Sequence, residues 1–246
     1  MHPILFHLAG RPIESDGALY FVAAVVAGVF ASRVARHRGW NPADVLPGLV
    51  LTILAALLGA LLLGAMTPWE GFATNPLGAL RRSGGLSFFG GLALGALALL
   101  GYVRWKGYPV GEVADALAPV APVLYGLFRL GCLLNGDDYG PPTALPWGMR
   151  FPAGSPPTSA AVHPTPLYEM LLMVPVFAWM QTRKPVGRPP GSLTFELCLL
   201  MGAERFLIEF WRIGSMGPAG LTVSQWFALG LIAIGLLGRW RLRGAN

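Results

Sequence analysis

The sequence predicts an all-α polytopic membrane protein, with about seven transmembrane helices and a polar site opening toward the outer leaflet. Three observations carry that prediction. Of the 246 residues, 54% are hydrophobic and only 12% charged, with a mean hydropathy of +0.56, whereas soluble domains are about 25% charged. Apolar runs recur at about 17–25 residues, the length a bilayer core requires. Basic residues alternate between successive connections, which is the signature of a threaded, oriented chain.

The elements follow in order. Residues 1–16 include Pro3, His7, Arg11 and Glu14 around a short apolar patch, so this stretch does not read as a removable signal and the first span is expected to be retained. The spans are expected at 17–32, 45–66, 86–103, 113–134, 164–180, 192–211 and 221–237. Their connections are short and rich in Pro, Gly, Arg or Lys, with no soluble insert and no fixed-period repeat, so residues 1–246 read as a single transmembrane domain. The net charge of +6 is dispersed among apolar runs. It therefore reads as a topology signal beside anionic lipid and not as a nucleic-acid surface. Cys132 and Cys198 lie in or beside apolar segments, which indicates two buried thiols and neither a disulfide framework nor a metal site.

Arg33, Arg36 and Arg38, then Arg104 and Lys106, then Arg183, Lys184 and Arg188, and finally Arg239, Arg241 and Arg243 fall on one side. Only Arg11, Arg81, Arg82 and Arg150 fall on the other. The positive-inside rule then puts the N-terminus outside the cytoplasm and the C-terminus inside. With that threading, Asp16, Arg129, His163 and the arginine-rich end of the sixth span all map to the outer leaflet, which is where chemistry is expected.

Arg129 lies about two turns before a helix end, and Asn135, Asp137, Asp138, Tyr139 and Gly140 follow it. An unpaired guanidinium at this depth costs at least a few kcal/mol, so Arg129 is expected to be partnered, with carbonyls released by Pro119 and Pro122 as one source. In the sixth span Arg205, Glu209 and Arg212 share a helical face. Two intramembrane arginines converging on one leaflet suit an anionic headgroup, since a guanidinium can hold two phosphate oxygens. The alternative is an internal ion pair of Arg205 with Glu209. His163 opens a proline-bounded helix and is a candidate general base, hydrogen-bond strut or interfacial residue. Tyr168 and Glu169 lie deeper on that helix, and Glu169 needs one of the arginines as partner. Paired glycines from Gly84 open the third span and Gly91 to Gly95 makes a small-xxx-small packing face, or alternatively the glycines thin the wall of a lipid-sized cavity.

Taken together these motifs resemble the prolipoprotein diacylglyceryl transferase family over essentially the whole chain. The matching residues are Arg129-Leu-Gly131, Asn135-Gly136, Gly140, Pro146-Trp147 through Phe151-Pro152, His163-Pro164, Leu167-Tyr168-Glu169, Arg205-Phe206, Glu209-Phe210 and Arg212. The resemblance implies transfer of the diacylglyceryl group of phosphatidylglycerol to the lipobox cysteine of a prolipoprotein signal peptide, with release of glycerol phosphate. This would occur at the outer face of a bacterial inner membrane, with no metal or soluble cofactor. It implies Arg129, Arg205, His163 and Glu209 as catalytic residues, the two arginines holding the phosphodiester. Asn135, Asp137, Gly140, Tyr168, Glu169, Arg212 and Asp16 would contact substrate, with Glu209 and Asp137 orienting the guanidiniums.

The chain departs from the family pattern at five places. Phe89 replaces a histidine, Asp16 a tyrosine, Cys132 an asparagine and Asp137 a glutamate, and Gly59-Ala60-Leu61 stands where Gly-Ala-Arg is usual. If that histidine serves as base for the thiol, this chain must use His163, Asp16 or another carboxylate, or rely on the few per cent of thiolate that a pKa of about 8.5 allows near neutrality. A diverged paralogue that binds lipid or modifies another acceptor therefore stays open, as does, less strongly, a small transporter. A protease built on Ser215 is weaker still, because that serine falls in a loop. The acyl-chain preference, the protein substrates and the oligomeric state are not readable from the sequence.

Overall fold

The computed structural model describes residues 4–8, 11–66, 87–183, 187–213 and 218–244. Arg81, Arg82, Gly84, Lys184 and Ser215, all named above, lie outside the described residues. The chain forms two compact units, one of residues 1–30 with 114–246 and the other of residues 31–113.

Helices dominate both units. In chain order they are α1 (Ser15–Arg38), α2 (Val45–Ala65), α3 (Phe88–Trp105), α4 (Val110–Leu117), α5 (Ala121–Asn135), α6 (Thr165–Thr182), α7 (Ser192–Ile208) and α8 (Val223–Arg243). Among the described residues five stretches are long and apolar enough to cross a membrane, with α4 and α5 joined as one stretch over Val110–Asn135. Each of the seven expected spans coincides with a helix. However, α6 and α7 do not reach that measure of length and apolarity, since they carry Glu169, Glu196, Glu204 and Arg205. The polytopic helical character thus stands, and the count that length and apolarity support is five.

The expectation of an all-helical chain needs correction, because two short antiparallel hairpins are present. β1 (Ile4–Leu8) pairs with β2 (Arg11–Glu14), and β3 (Met149–Phe151) pairs with β4 (Thr158–Val162). Both consist of runs too short to register as spans, and β4 owes its extended form to Thr158 and Val162, β-branched residues that fit a pleated surface. The second hairpin has a structural role. Phe151 is fully buried and stacks on Tyr139 at 5.3 Å between ring centroids, which fastens the loop after α5.

In the unit of residues 31–113, α2 packs against α3 backbone to backbone. A side chain at either Gly59 or Gly90 would overlap the other's carbonyl oxygen, while Gly95 faces Ala56. The packing role expected of this glycine face is what the structure shows. At the far end of the pair, Asp44 binds Lys106 at 2.7 Å and accepts the Tyr108 hydroxyl at 2.7 Å.

The other unit is organised by α5, α6, α7 and α8. The fourth span is helical on both sides of a 3-10 turn at Ala118–Val120 that contains Pro119, and Pro122 falls in the first turn of α5. Asp115, on α4, caps the start of α7 by accepting from the Gly191 and Thr194 amides and the Thr194 hydroxyl, each at 2.8 Å. Ala118, Met180 and Leu193 form a buried core there with Leu197 and Leu200. α7 therefore starts from a fixed anchor and delivers Arg205 from its other end.

Candidate active site

Three helices and one loop assemble the site. Glu169, in the second turn of α6, is fully buried. Its carboxylate lies 3.1 Å from Arg129 Nε on α5, 3.1 Å from Arg205 Nη1 on α7 and 3.6 Å from Arg212 Nη1. It also accepts the Tyr125 hydroxyl at 2.9 Å. Tyr125 and Arg129 are one turn apart on α5, so both reach the same acceptor. One carboxylate thus draws three guanidiniums together in a place from which water is excluded.

The remaining charges close the network. Arg205 Nη2 lies 2.7 Å from Glu209 and donates to the Ser224 hydroxyl at 3.0 Å, and Glu209 accepts the Thr222 hydroxyl at 2.8 Å. α7 ends at Ile208, and Glu209–Trp211 tighten into a 3-10 turn before Arg212 becomes extended. The face expected for Arg205, Glu209 and Arg212 survives this tightening, with Arg212 Nε at 3.7 Å from Glu209. After α5, Gly136 and Asp138 both adopt positive φ and turn the chain back on itself. That places Asp138 between two guanidiniums, with Oδ2 at 2.7 Å from Arg129 Nη1 and Oδ1 at 2.6 Å from Arg212 Nη2. Burial pushes the Asp138 carboxyl up, but the charges of Arg212 and Arg129 and their hydrogen bonds outweigh it and hold the group below the ordinary carboxylate range. Its neighbour Asp137 goes the other way, raised by burial against the hydrogen bonds of Asn135 and Cys132.

A second cluster sits on the loop side. The Trp147 indole donates to the Tyr168 hydroxyl at 2.9 Å, and that hydroxyl is 3.2 Å from His163 Nδ1. Gly140 brings the two clusters close. Its amide donates to the His163 carbonyl at 2.8 Å, and a side chain there would overlap the Trp211 carbonyl.

The family model described as prolipoprotein diacylglyceryl transferase matches residues 3–241. The chain belongs to the prolipoprotein diacylglyceryl transferase family. Relatives named phosphatidylglycerol–prolipoprotein diacylglyceryl transferase align over nearly their full length. That of Geobacter sulfurreducens is 35% identical across 96% of this chain and 95% of its own. That of Polynucleobacter asymbioticus is 33% identical across 95% and 93%, and that of Parasynechococcus marenigrum 29% identical across 98% and 94%. This diacylglyceryl transferase family member is a multi-pass membrane protein.

In this transferase family chain, Arg129, Glu169, Arg205, Glu209 and Arg212 form one connected set, as the motif spacing suggested. The others are placed apart from it. His163 and Tyr168 form the neighbouring cluster, and Asn135 donates to Asp137 at 2.7 Å. Asp16 accepts from the Gly17 amide at 2.7 Å, and its backbone lies against Gly131. Among the described residues neither Asp16 nor Asp137 makes an ion pair. The guanidinium-orienting role expected of Asp137 is met instead by Asp138, because the left-handed turn aims the second carboxylate inward. Among the described residues Arg129 is met by the carboxylates of Asp138 and Glu169 and not by carbonyls freed by prolines. Cys132, Asp137 and Asp138 bring one ligand atom each within 4.8 Å of one another, but Asp138 is already committed to two guanidiniums. Tyr125, Thr222 and Ser224 were missed. Tyr125 could have been found from its spacing to Arg129, and Thr222 from the Thr-x-x-Gln capping box that opens α8.

Proposed function

We infer that this chain transfers the diacylglyceryl group of phosphatidylglycerol to the lipobox cysteine thiol of prolipoproteins, with the arginine cluster holding the lipid phosphate. Family membership supports the reaction. The observation that supports the clamp is the way Asp138 is held. It presents two oxygens of one anion to Arg129 and Arg212 at 2.7 and 2.6 Å, the arrangement that two non-bridging phosphate oxygens would adopt. Arg129 Nε and Arg212 Nη1 are buried at ion-pair distance from Glu169 without a hydrogen bond. A phosphate oxygen would satisfy such donors, each of which costs about 1–3 kcal/mol when left unmet.

In this reading the thiol sulfur bonds to the glycerol carbon that carries the phosphate, and the carbon–oxygen bond breaks. The electron pair leaves on the phosphate, and the thiol proton passes to a base or to the released glycerol phosphate. Arg129, Arg205 and Arg212 stabilise the charge that grows on the leaving oxygen, and Glu169 and Glu209 hold them in place before it arrives. Seven membrane crossings, with the N-terminus periplasmic and the C-terminus cytoplasmic in a bacterial inner membrane, complete the proposal. It is supported by the loop-by-loop alternation of basic residues and by the helices that coincide with each of the seven apolar runs, α4 and α5 sharing one.

The test is a mass assay on a lipobox peptide, with purified protein in detergent containing phosphatidylglycerol. A diacylglyceryl mass gain that disappears in Arg129→Ala and Arg205→Ala supports both reaction and clamp. No gain with the parent protein, beside an active relative, would reject the reaction and favour the paralogue reading that Phe89 and Cys132 suggest.

A further inference from the structure

A second group of guanidiniums gathers at the opposite end of α7, and its charge balance differs from that of the site above. At the site, Arg129, Arg205 and Arg212 face Glu169, Glu209 and Asp138. At the other end an open cavity of about 180 Å³ is lined by Arg188, Ser192, Glu196, Arg239, Leu242 and Arg243. Among the described residues Glu196 alone serves Arg188 at 3.2 Å, Arg239 at 3.3 Å and Arg183 at 3.7 Å. Arg243 makes no ion pair among the described residues. Polar atoms there are also buried without a hydrogen bond, namely Ser192 Oγ, Glu196 Oε2 and Arg183 Nε. Four cations around one carboxylate, with the Ser192 hydroxyl and Arg183 Nε unmet as donors, form a site short of one multidentate anion.

The surroundings narrow the identity of that anion. Arg239 and Arg243 stand one turn apart on α8, and Leu236, Leu237 and Trp240 on the same helix are 57%, 58% and 70% exposed. The Arg183 guanidinium lies 3.8 Å from the Trp179 ring centroid, an aromatic and arginine pairing suited to headgroup level. An apolar wall beside the cavity gives acyl chains a surface to lie on. Thirteen residues at 1.5 Å each separate Ser192 from Arg205, so the two ends are about 20 Å apart along α7. We propose that the cavity between the start of α7 and the end of α8 binds a phosphate-bearing anion, the headgroup of an anionic phospholipid, at a site separate from that of diacylglyceryl transfer.

Native mass spectrometry of the full chain in neutral detergent, titrated with phosphatidic acid, tests this. The parent is expected to hold one lipid more than an Arg239→Gln/Arg243→Gln variant, with the occupancy of that lipid falling about tenfold or more. Glu196→Gln removes the competing carboxylate and is expected to tighten the same lipid, a gain that misfolding would not produce. In a parallel arm, inorganic phosphate that displaces the lipid assigns recognition to the phosphate group alone, whereas phosphate without effect assigns it to headgroup and chains together. Equal occupancy in the parent and the double variant, or binding of phosphatidylcholine as tight as that of phosphatidic acid, would overturn the proposal.

Discussion

Replacing Glu169 by glutamine removes one negative charge and almost no volume. Glu169 has no exposure to solvent, and its carboxylate is within 3.6 Å of three guanidiniums, so screening by water does not soften the loss. Breaking a buried ion pair by neutralising one partner costs about 3–5 kcal/mol. At about 2–4 °C per kcal/mol for a chain of this size, the melting temperature should fall by about 6–20 °C. Glutamine keeps an oxygen to accept the Tyr125 hydroxyl, so the loss is electrostatic. Tyr125→Phe is the control: it removes only that hydrogen bond, worth about 1.5–3 kcal/mol with a charged partner. Thermal unfolding in detergent, followed by circular dichroism, compares the two. A Glu169→Gln protein melting within about 2 °C of the parent, and no lower than Tyr125→Phe, would show that Glu169 does not hold the arginines together.

Three further outcomes are expected. Arg205 meets Glu169, Ser224 and Glu209 through two nitrogens, which a lysine cannot reproduce, so Arg205→Lys should slow diacylglyceryl transfer by about 10²–10³-fold despite keeping the charge, as read from the rate of peptide mass gain. Gly140→Ala places a methyl group against the Trp211 carbonyl and His163, and should lose about 1–3 kcal/mol in chemical unfolding. Asp138 is held below the ordinary carboxylate range chiefly by Arg212 and Arg129 acting against burial. Its stabilisation is therefore present above the unfolded carboxyl pKa of about 3.9 and lost as pH falls through the folded value. Asp138→Asn should melt below the parent at pH 7, and the gap should close as the pH is lowered past 4 toward 3.

Much of this was legible because the membrane limits what a sequence can do. An arginine in an apolar run requires a partner, so Arg129, Glu169 and Arg205 could be assigned to one site before any coordinates, and the i, i+4 spacing gave the Arg205–Glu209 pair directly. What the sequence hid was local backbone geometry. Asp137 and Asp138 are adjacent and chemically alike, and only the positive φ of Asp138 decides which one faces Arg129. The hairpins of residues 4–14 and 149–162 escaped notice because strands of three to five residues leave no periodic signal among long apolar runs. The cavity at Glu196 was equally hidden, since Arg183, Arg188 and Arg239 read individually as topology markers, and they reach one carboxylate from the end of α6, the connection before α7 and α8 respectively.

The two ends of α7 also show how one helix can carry charge through an apolar medium in two ways. At the Arg205 end Arg129, Arg205 and Arg212 each pair with carboxylates of the protein itself. An incoming phosphate can then compete with Asp138, the one carboxylate of the set that is 39% exposed, and leave the fully buried Glu169 in place. At the Ser192 end the cations outnumber the one carboxylate that pairs with them among the described residues, which is the imbalance the proposed anion would relieve. A site that must release its product benefits from the first arrangement, because the protein supplies the replacement anion itself. A site that only anchors benefits from the second, because among the described residues a single carboxylate, Glu196, competes for its several donors.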